Sequence, residues 1–160
     1  MFDINVIIIL IIIAGSSILS GLFFIFSNTI MKAFREIEPE AGIKAMQQIN
    51  ITILNPLFMI VFMGTTLLSL YLVVTAWTGV FAAAGYFLIP GGLIHILGSF
   101  IVTIVVNVPL NNRLAAVDPD SSIGRQIWEE YHSKWVPWNH VRTVASLIAV
   151  CCLSVGLLFV

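Results

Sequence analysis

An all-α fold, a transmembrane four-helix bundle with short amphipathic cytosolic helices, follows from three observations on this 160-residue chain. Hydrophobic residues make up 59% of it and charged residues 9%, against about 25% charged in soluble domains. A chain this apolar folds by burying its surface in lipid. Four runs approach the roughly 20 apolar residues that cross a bilayer core, at about 4–31, 54–77, 88–108 and 139–160. All Lys and Arg residues fall in two stretches, Lys32, Arg35 and Lys44 in one and Arg113, Arg125, Lys134 and Arg142 in the other. The positive-inside rule then puts segments 32–53 and 109–138 in the cytosol and both termini on the outer side. The expectation is one domain over 1–160, a multi-pass integral membrane protein, with the lipid bilayer as its first partner. Asp and Glu residues accompany the bases in the same two segments, so no strongly basic face is offered to nucleic acid.

The first run lacks a basic leader, carries Asp3, and exceeds the roughly 7–15 apolar residues of a signal peptide, so it is expected to stay as a helix. Its small stripe, Gly15, Ser16, Ser17, Ser20 and Gly21, suits close packing within the bundle or between copies in a homo-oligomer. Glu38-Pro39-Glu40 starts a short helix whose Ile43, Met46, Ile49 and Ile53 share a face, an amphipathic segment at the membrane surface. Asn55-Pro56 opens the second span as N-cap and first helical residue. Gly79, Gly85 and Pro90-Gly91-Gly92 predict a loop or half-helix over 78–89, with the third span starting near Pro90, kinking at Pro109 and ending near Val117. A helix from Ser122 to Trp135 is expected to break at Pro137, with Asn139 capping the fourth span. Adjacent Cys151 and Cys152 cannot readily reach disulfide geometry and read as small apolar residues.

Polar residues converge at one membrane level. Asn28 lies near the end of the first span, Asn55 at the start of the second, Asn107, Asn111 and Asn112 at the end of the third, and Asn139, His140 and Arg142 at the start of the fourth. Polar groups at such a depth are costly unless they pair or line a cavity, which predicts a pocket for a hydrophobic small molecule opening to the cytosol, with Trp135 and Trp138 as walls. Each member also has a plainer use. Asn55 and Asn139 can cap helices, Arg142 can snorkel to headgroups, Asn107 and Asn111 can bond carbonyls freed by Pro109, and the tryptophans can form an interfacial belt. His95, about 18 Å along the helix from Asn107, reads as a buried imidazole bonded to a serine or the backbone. His132 and His140 with Glu129 and Glu130 show no metal-site spacing, and no metal or other cofactor is expected.

The strings GLFFIFSNTIM, AGIKAMQQINITILNPLF, NVPLNNRLAAVDP and WVPWNHVRT, in this order, resemble the anthrone oxygenase-like membrane proteins, whose bacterial members are mostly small four-helix proteins without an assigned substrate. The resemblance implies a monooxygenase working without metal or flavin that converts an anthrone-type carbon acid to a quinone. Such a carbon acid loses a proton to give an enolate, which reduces dioxygen directly. The enzyme then needs a base, for which histidine is suited, and donors at the oxyanion. On that resemblance His140 is the expected base, Asn107, Asn111 and Arg142 the oxyanion donors, and Asn28, Asn55, Asn112, Trp135, Trp138 and Asn139 the substrate-binding residues. The alternative is a non-catalytic binding or accessory protein for a lipid, a quinone or a partner protein. A transporter would want charges or broken helices at mid-bilayer.

Overall fold

Capping residues set where the helices begin in the computed structural model, which describes residues 3–160. Asp3 is extended and its carboxylate accepts from Asn5 N at 2.8 Å, starting α1 (Ile4–Arg35). Glu38-Pro39 starts α2 (Pro39–Thr52). Asn55 Oδ1 accepts from Phe58 N at 3.0 Å and Pro56 is the first residue of α3 (Pro56–Trp77), as expected. Next come α4 (Ala82–Ala115) and α5 (Ser122–Leu157), the latter capped by Ser121 Oγ, which accepts from Gly124 N at 2.9 Å. Among the described residues there is no strand. All but α2 are long and apolar enough to cross a membrane, and the chain is an all-α, multi-pass integral membrane protein.

Two elements differ from expectation. α4 starts at Ala82, well before Pro90. The reversal after α3 is made instead by Gly79 at φ 85°, a conformation open to glycine. Gly91 and Gly92, which read as helix breakers, are contact points. A Cβ on Gly92 would lie 2.5 Å from Val73 Cγ2, and one on Gly91 3.0 Å from Leu153 Cγ, so the pair lets α4 approach both α3 and α5. The second difference is that α5 runs unbroken through Pro137. The proline removes one backbone donor, but its ring is on the exposed side of the helix, and Asn139 holds the next turn against α1. Asn139 is therefore helix interior, not a cap.

π-type turns interrupt α1 at Phe26–Ile30 and α4 at His95–Ile101 and Thr103–Asn107. Such turns take in an extra residue. They keep His95, Ser99, Thr103, Asn107 and Asn111, spaced by four, directed toward the interior.

The two ends of the bundle are built differently. At the apolar end Ile9, Ile12, Leu72, Ala84, Leu88 and Leu153 are fully buried against one another. At the end carrying the Lys and Arg residues, α2 folds under the bundle. Met31, Ile43, Met46 and Leu114 there pack against a stack of Trp128, Tyr131 and Trp135, ring centroids 5.7 and 5.6 Å apart. Gln47 Nε2 locks α2 in place by donating to Leu114 O at 2.9 Å and Val117 O at 3.1 Å. Exposed ion pairs join Lys44 to Asp120 and Arg113 and Lys134 to Glu130, each worth at most about 1 kcal/mol.

Candidate functional site: a pocket around Arg142

Between α1, α2, α4 and α5 at the charged end lies a pocket of about 350 Å³, with Phe58 of α3 at its edge, a size within the usual range for small-molecule sites. Its walls are mostly apolar, including Leu22, Phe23, Phe26, Ile49, Leu54 and Val108. Its polar atoms come from Gln47, Asn50, Thr103, Asn111, Asn112, Asn139 and Arg142.

Arg142 is the one charged side chain in that lining, and it is only 5% exposed. Its Nη1 donates to Thr103 Oγ1 at 3.0 Å and its Nη2 to Asn139 Oδ1. The guanidinium carbon lies 4.2 Å from the Phe23 ring centroid and 5.4 Å from that of Trp135, so two aromatic faces offset part of the charge. Nε has no partner. Every ion pair among the described residues involves other side chains. The guanidinium therefore points into the bundle, not out to headgroups, and sits in an apolar pocket with no carboxylate to neutralise it.

The neighbouring amides are fixed. Asn139 Nδ2 donates to Phe23 O and to Ser27 Oγ, which turns its carbonyl oxygen toward Arg142. Asn111 Oδ1 accepts from Tyr131 OH at 2.8 Å and Trp135 Nε1 at 2.9 Å, holding the aromatic wall and leaving its amide nitrogen free to donate.

Of the residues singled out from sequence, Asn111, Asn112, Trp135, Asn139 and Arg142 line this pocket together. The rest do not. His140, the expected base, is exposed; it is next to Asn139 in sequence but about 100° round the helix from it. Trp138 is 42% exposed. Asn28 is exposed and accepts from Lys32 Nζ at 3.5 Å. Asn55 is the cap of α3. Asn107 is buried, with neither amide atom bonded, but it is outside the pocket lining. No imidazole reaches the pocket. Thr103, Asn50 and Gln47 were missed from sequence, although the spacing of four from His95 to Asn111 would have pointed to Thr103.

Below the pocket, Arg35 Nε donates to His132 Nδ1 at 3.2 Å. Burial first, and the Arg35 charge second, push the His132 imidazole down to about 4, so it is neutral at neutral pH. Among the described residues no three His, Cys, Asp or Glu side chains converge to hold a metal ion.

A family model described as Anthrone oxygenase matches residues 55–152. The match takes in α3, α4 and most of α5, and so the Thr103, Asn111, Asn139 and Arg142 side of the pocket. Neither the curated proteins nor the solved structures give a match.

Proposed function

The chain belongs to the anthrone oxygenase family, and from that membership we propose that it oxygenates an aromatic carbon acid with dioxygen in the Arg142 pocket. The positive-inside rule supports placing the charged end, and so the pocket, on the cytosolic face of a bacterial inner membrane, with both termini outside.

The observation that carries this reading is a buried guanidinium without a counterion in an apolar cavity. A charge in that position is costly, and an anion brought to it gains what the protein has left unpaired. The ligand must then be apolar in bulk and anionic only during reaction. An anthrone-type molecule meets both conditions. Its methylene C–H bond breaks, the proton passes to a water molecule at the pocket, and the electron pair is delocalised onto the ketone oxygen as an enolate. Arg142, oriented by Asn139 and Thr103, stabilises that oxyanion, with Asn111 and Asn112 as further donors. Such a preorganised donor in a largely apolar site commonly contributes a 10²–10³-fold effect on rate. Phe23, Phe26 and Trp135 supply flat walls. The enolate then gives up electrons to dioxygen, a C–O bond forms at the former methylene carbon, and the peroxide anion takes back a proton. Loss of water leaves a second carbonyl, so that CH₂ and O₂ become C=O and H₂O.

A second reading, non-catalytic binding of a quinone or lipid, uses the same pocket and draws support from the lack of an imidazole in its lining. Oxygen uptake by the protein in lipid nanodiscs supplied with anthrone separates the two. Oxygenation predicts one dioxygen consumed per quinone formed, at a rate that Arg142→Gln lowers about 100-fold. Anthrone that binds without oxygen uptake favours the binding reading.

A further inference from the structure

Beyond the pocket, toward the apolar end, the bundle interior stays polar for two more turns. The register of the helices shows how these polar groups meet. Arg142 Nη1 bonds Thr103 Oγ1 at 3.0 Å, and a Cβ on Gly98 would lie 2.4 Å from Ala145 Cβ. α4 and α5 therefore run antiparallel in close contact, and one turn deeper Ser99 and Ser146 come to the same level. On α1, Ser20 Oγ donates to Thr143 O at 3.3 Å, and one turn deeper Ser16 Oγ lies 3.0 Å from His95 Nδ1. Ser16, His95, Ser99 and Ser146 are all fully buried.

Their bonding is incomplete. Ser16 and His95 share a hydrogen bond, but His95 Nε2, Ser99 Oγ and Ser146 Oγ have no partner. Other interior hydroxyls on the spans avoid this by donating to the carbonyl one turn back, as Ser27, Thr66, Ser69, Thr103 and Thr143 do. Ser99 and Ser146 forgo that bond. Three unpaired polar atoms from two helices in a lipid-spanning interior call for ordered water. Thr103, which lines the pocket and accepts from Arg142, lies one turn from Ser99 and donates to its backbone carbonyl at 2.7 Å, so it stands between this cluster and the pocket.

We propose that Ser16, His95, Ser99 and Ser146 form a hydrated site continuous with the pocket, and that His95 accepts the proton released when the ligand ionises beside Arg142. The acceptor role rests on the carbon-acid reading; the hydrated site does not. With Nδ1–H donating to Ser16 Oγ, Nε2 keeps a free lone pair. His95 is two turns from Thr103, roughly 12 Å along the axis, a span that hydroxyls and a few waters bridge. The ligand C–H bond breaks and its electron pair stays behind as the enolate. Each water or hydroxyl in the chain takes one proton and passes one on, and the last proton ends on Nε2 as imidazolium. It returns by the same route to the peroxide anion. His95 is thus a positioned proton acceptor that never touches the ligand.

The test uses the full chain in lipid nanodiscs, labelled with ¹⁵N-histidine and ¹³C-methyl leucine, with His95→Gln and Leu72→Ile to assign the signals. Water-edited spectra should show magnetisation reaching the His95 ring from water as fast as it reaches exposed His140. Transfer as slow as to the buried Leu72 methyls would overturn the hydrated site. Anthrone is then added without oxygen. The His95 nitrogens should move to imidazolium positions as enolate absorbance appears. His95→Gln should bind anthrone equally well but form enolate about tenfold or more slowly. An enolate formed beside a still neutral His95 would overturn the acceptor role. Wild type that binds anthrone without ionising it would contradict the functional reading and the acceptor role together, while the first spectrum still decides the hydrated site. Should His95→Gln fail to fold, Ser146→Ala provides the second variant, with slower water transfer and slower ionisation expected and unchanged rates contradicting the proposal.

Discussion

The apolar end of the bundle is closed by side chains that have nothing left to bond, whereas from the charged end to the middle of the bundle the interior encloses polar atoms without partners. Ile9, Leu72, Leu88 and Leu153 fill their space with carbon. Arg142, Asn107, Ser99, Ser146 and His95 leave a guanidinium nitrogen, an amide, two hydroxyls and an imidazole nitrogen unpaired. Lipid supplies no hydrogen bonds to compensate, so the second arrangement detracts from stability. On the proposed function, the difference separates the part of the molecule that holds the helices together from the part that meets the ligand.

The sharpest way to test that separation is to change each end and read both stability and turnover. Arg142→Gln should lower anthrone oxygenation by 10²–10³-fold, about 2.7–4 kcal/mol, while the thermal midpoint holds or rises, because a buried unpaired charge is removed. Leu72→Ala should do the reverse, costing about 2–4 kcal/mol of stability through the cavity it leaves, with turnover per folded molecule unchanged. A stability loss in the first variant, or a selective activity loss in the second, would show that the two ends do not divide stability from turnover.

A smaller effect is expected from pH. His132 is neutral when folded, with its pKa near 4 against an ordinary 6.5. The unfolded chain binds a proton there at a pH where the folded chain does not, so stability is complete above about 6.5 and falls as pH drops toward 4. The loss should be about 1–3 kcal/mol, seen as a lower thermal midpoint at pH 5 than at pH 7.5, and His132→Gln should flatten it. An equal midpoint at both pH values would show the imidazole to be solvated. The smallest effect belongs to His140→Gln. His140 is exposed outside the pocket, so anthrone turnover should stay within about twofold. A large loss there would return the base to His140.

Much of the fold was legible because its signals are local. Asn55-Pro56 caps and starts α3 through bonds to its own first turn, and Glu38-Pro39 starts α2 in the same way. What misled were residues whose meaning depends on a neighbour distant in sequence. Gly91 and Gly92 read as breakers until Val73 and Leu153 are found against them. Pro137 reads as a stop until Asn139 is seen bonded to Phe23 and Ser27 of α1. The site divides similarly. Depth in the membrane picked out Arg142, Asn139, Asn111, Asn112 and Trp135. It could not tell which way a residue faces, and so it brought in His140 and Trp138 as well. The π-type turns of α4 have no sequence signature of their own, and they are what keeps His95, Ser99 and Thr103 on the interior face.

On the proposed function, an uncompensated Arg142 stabilises an anionic form of the ligand. The most direct test is a spectroscopic pH titration of anthrone bound to the protein in nanodiscs without oxygen, wild type beside Arg142→Gln. Anthrone bound to wild type should ionise at a lower pH than anthrone in empty nanodiscs, and Arg142→Gln should abolish this shift. The same ionisation pH in both proteins would contradict that stabilisation.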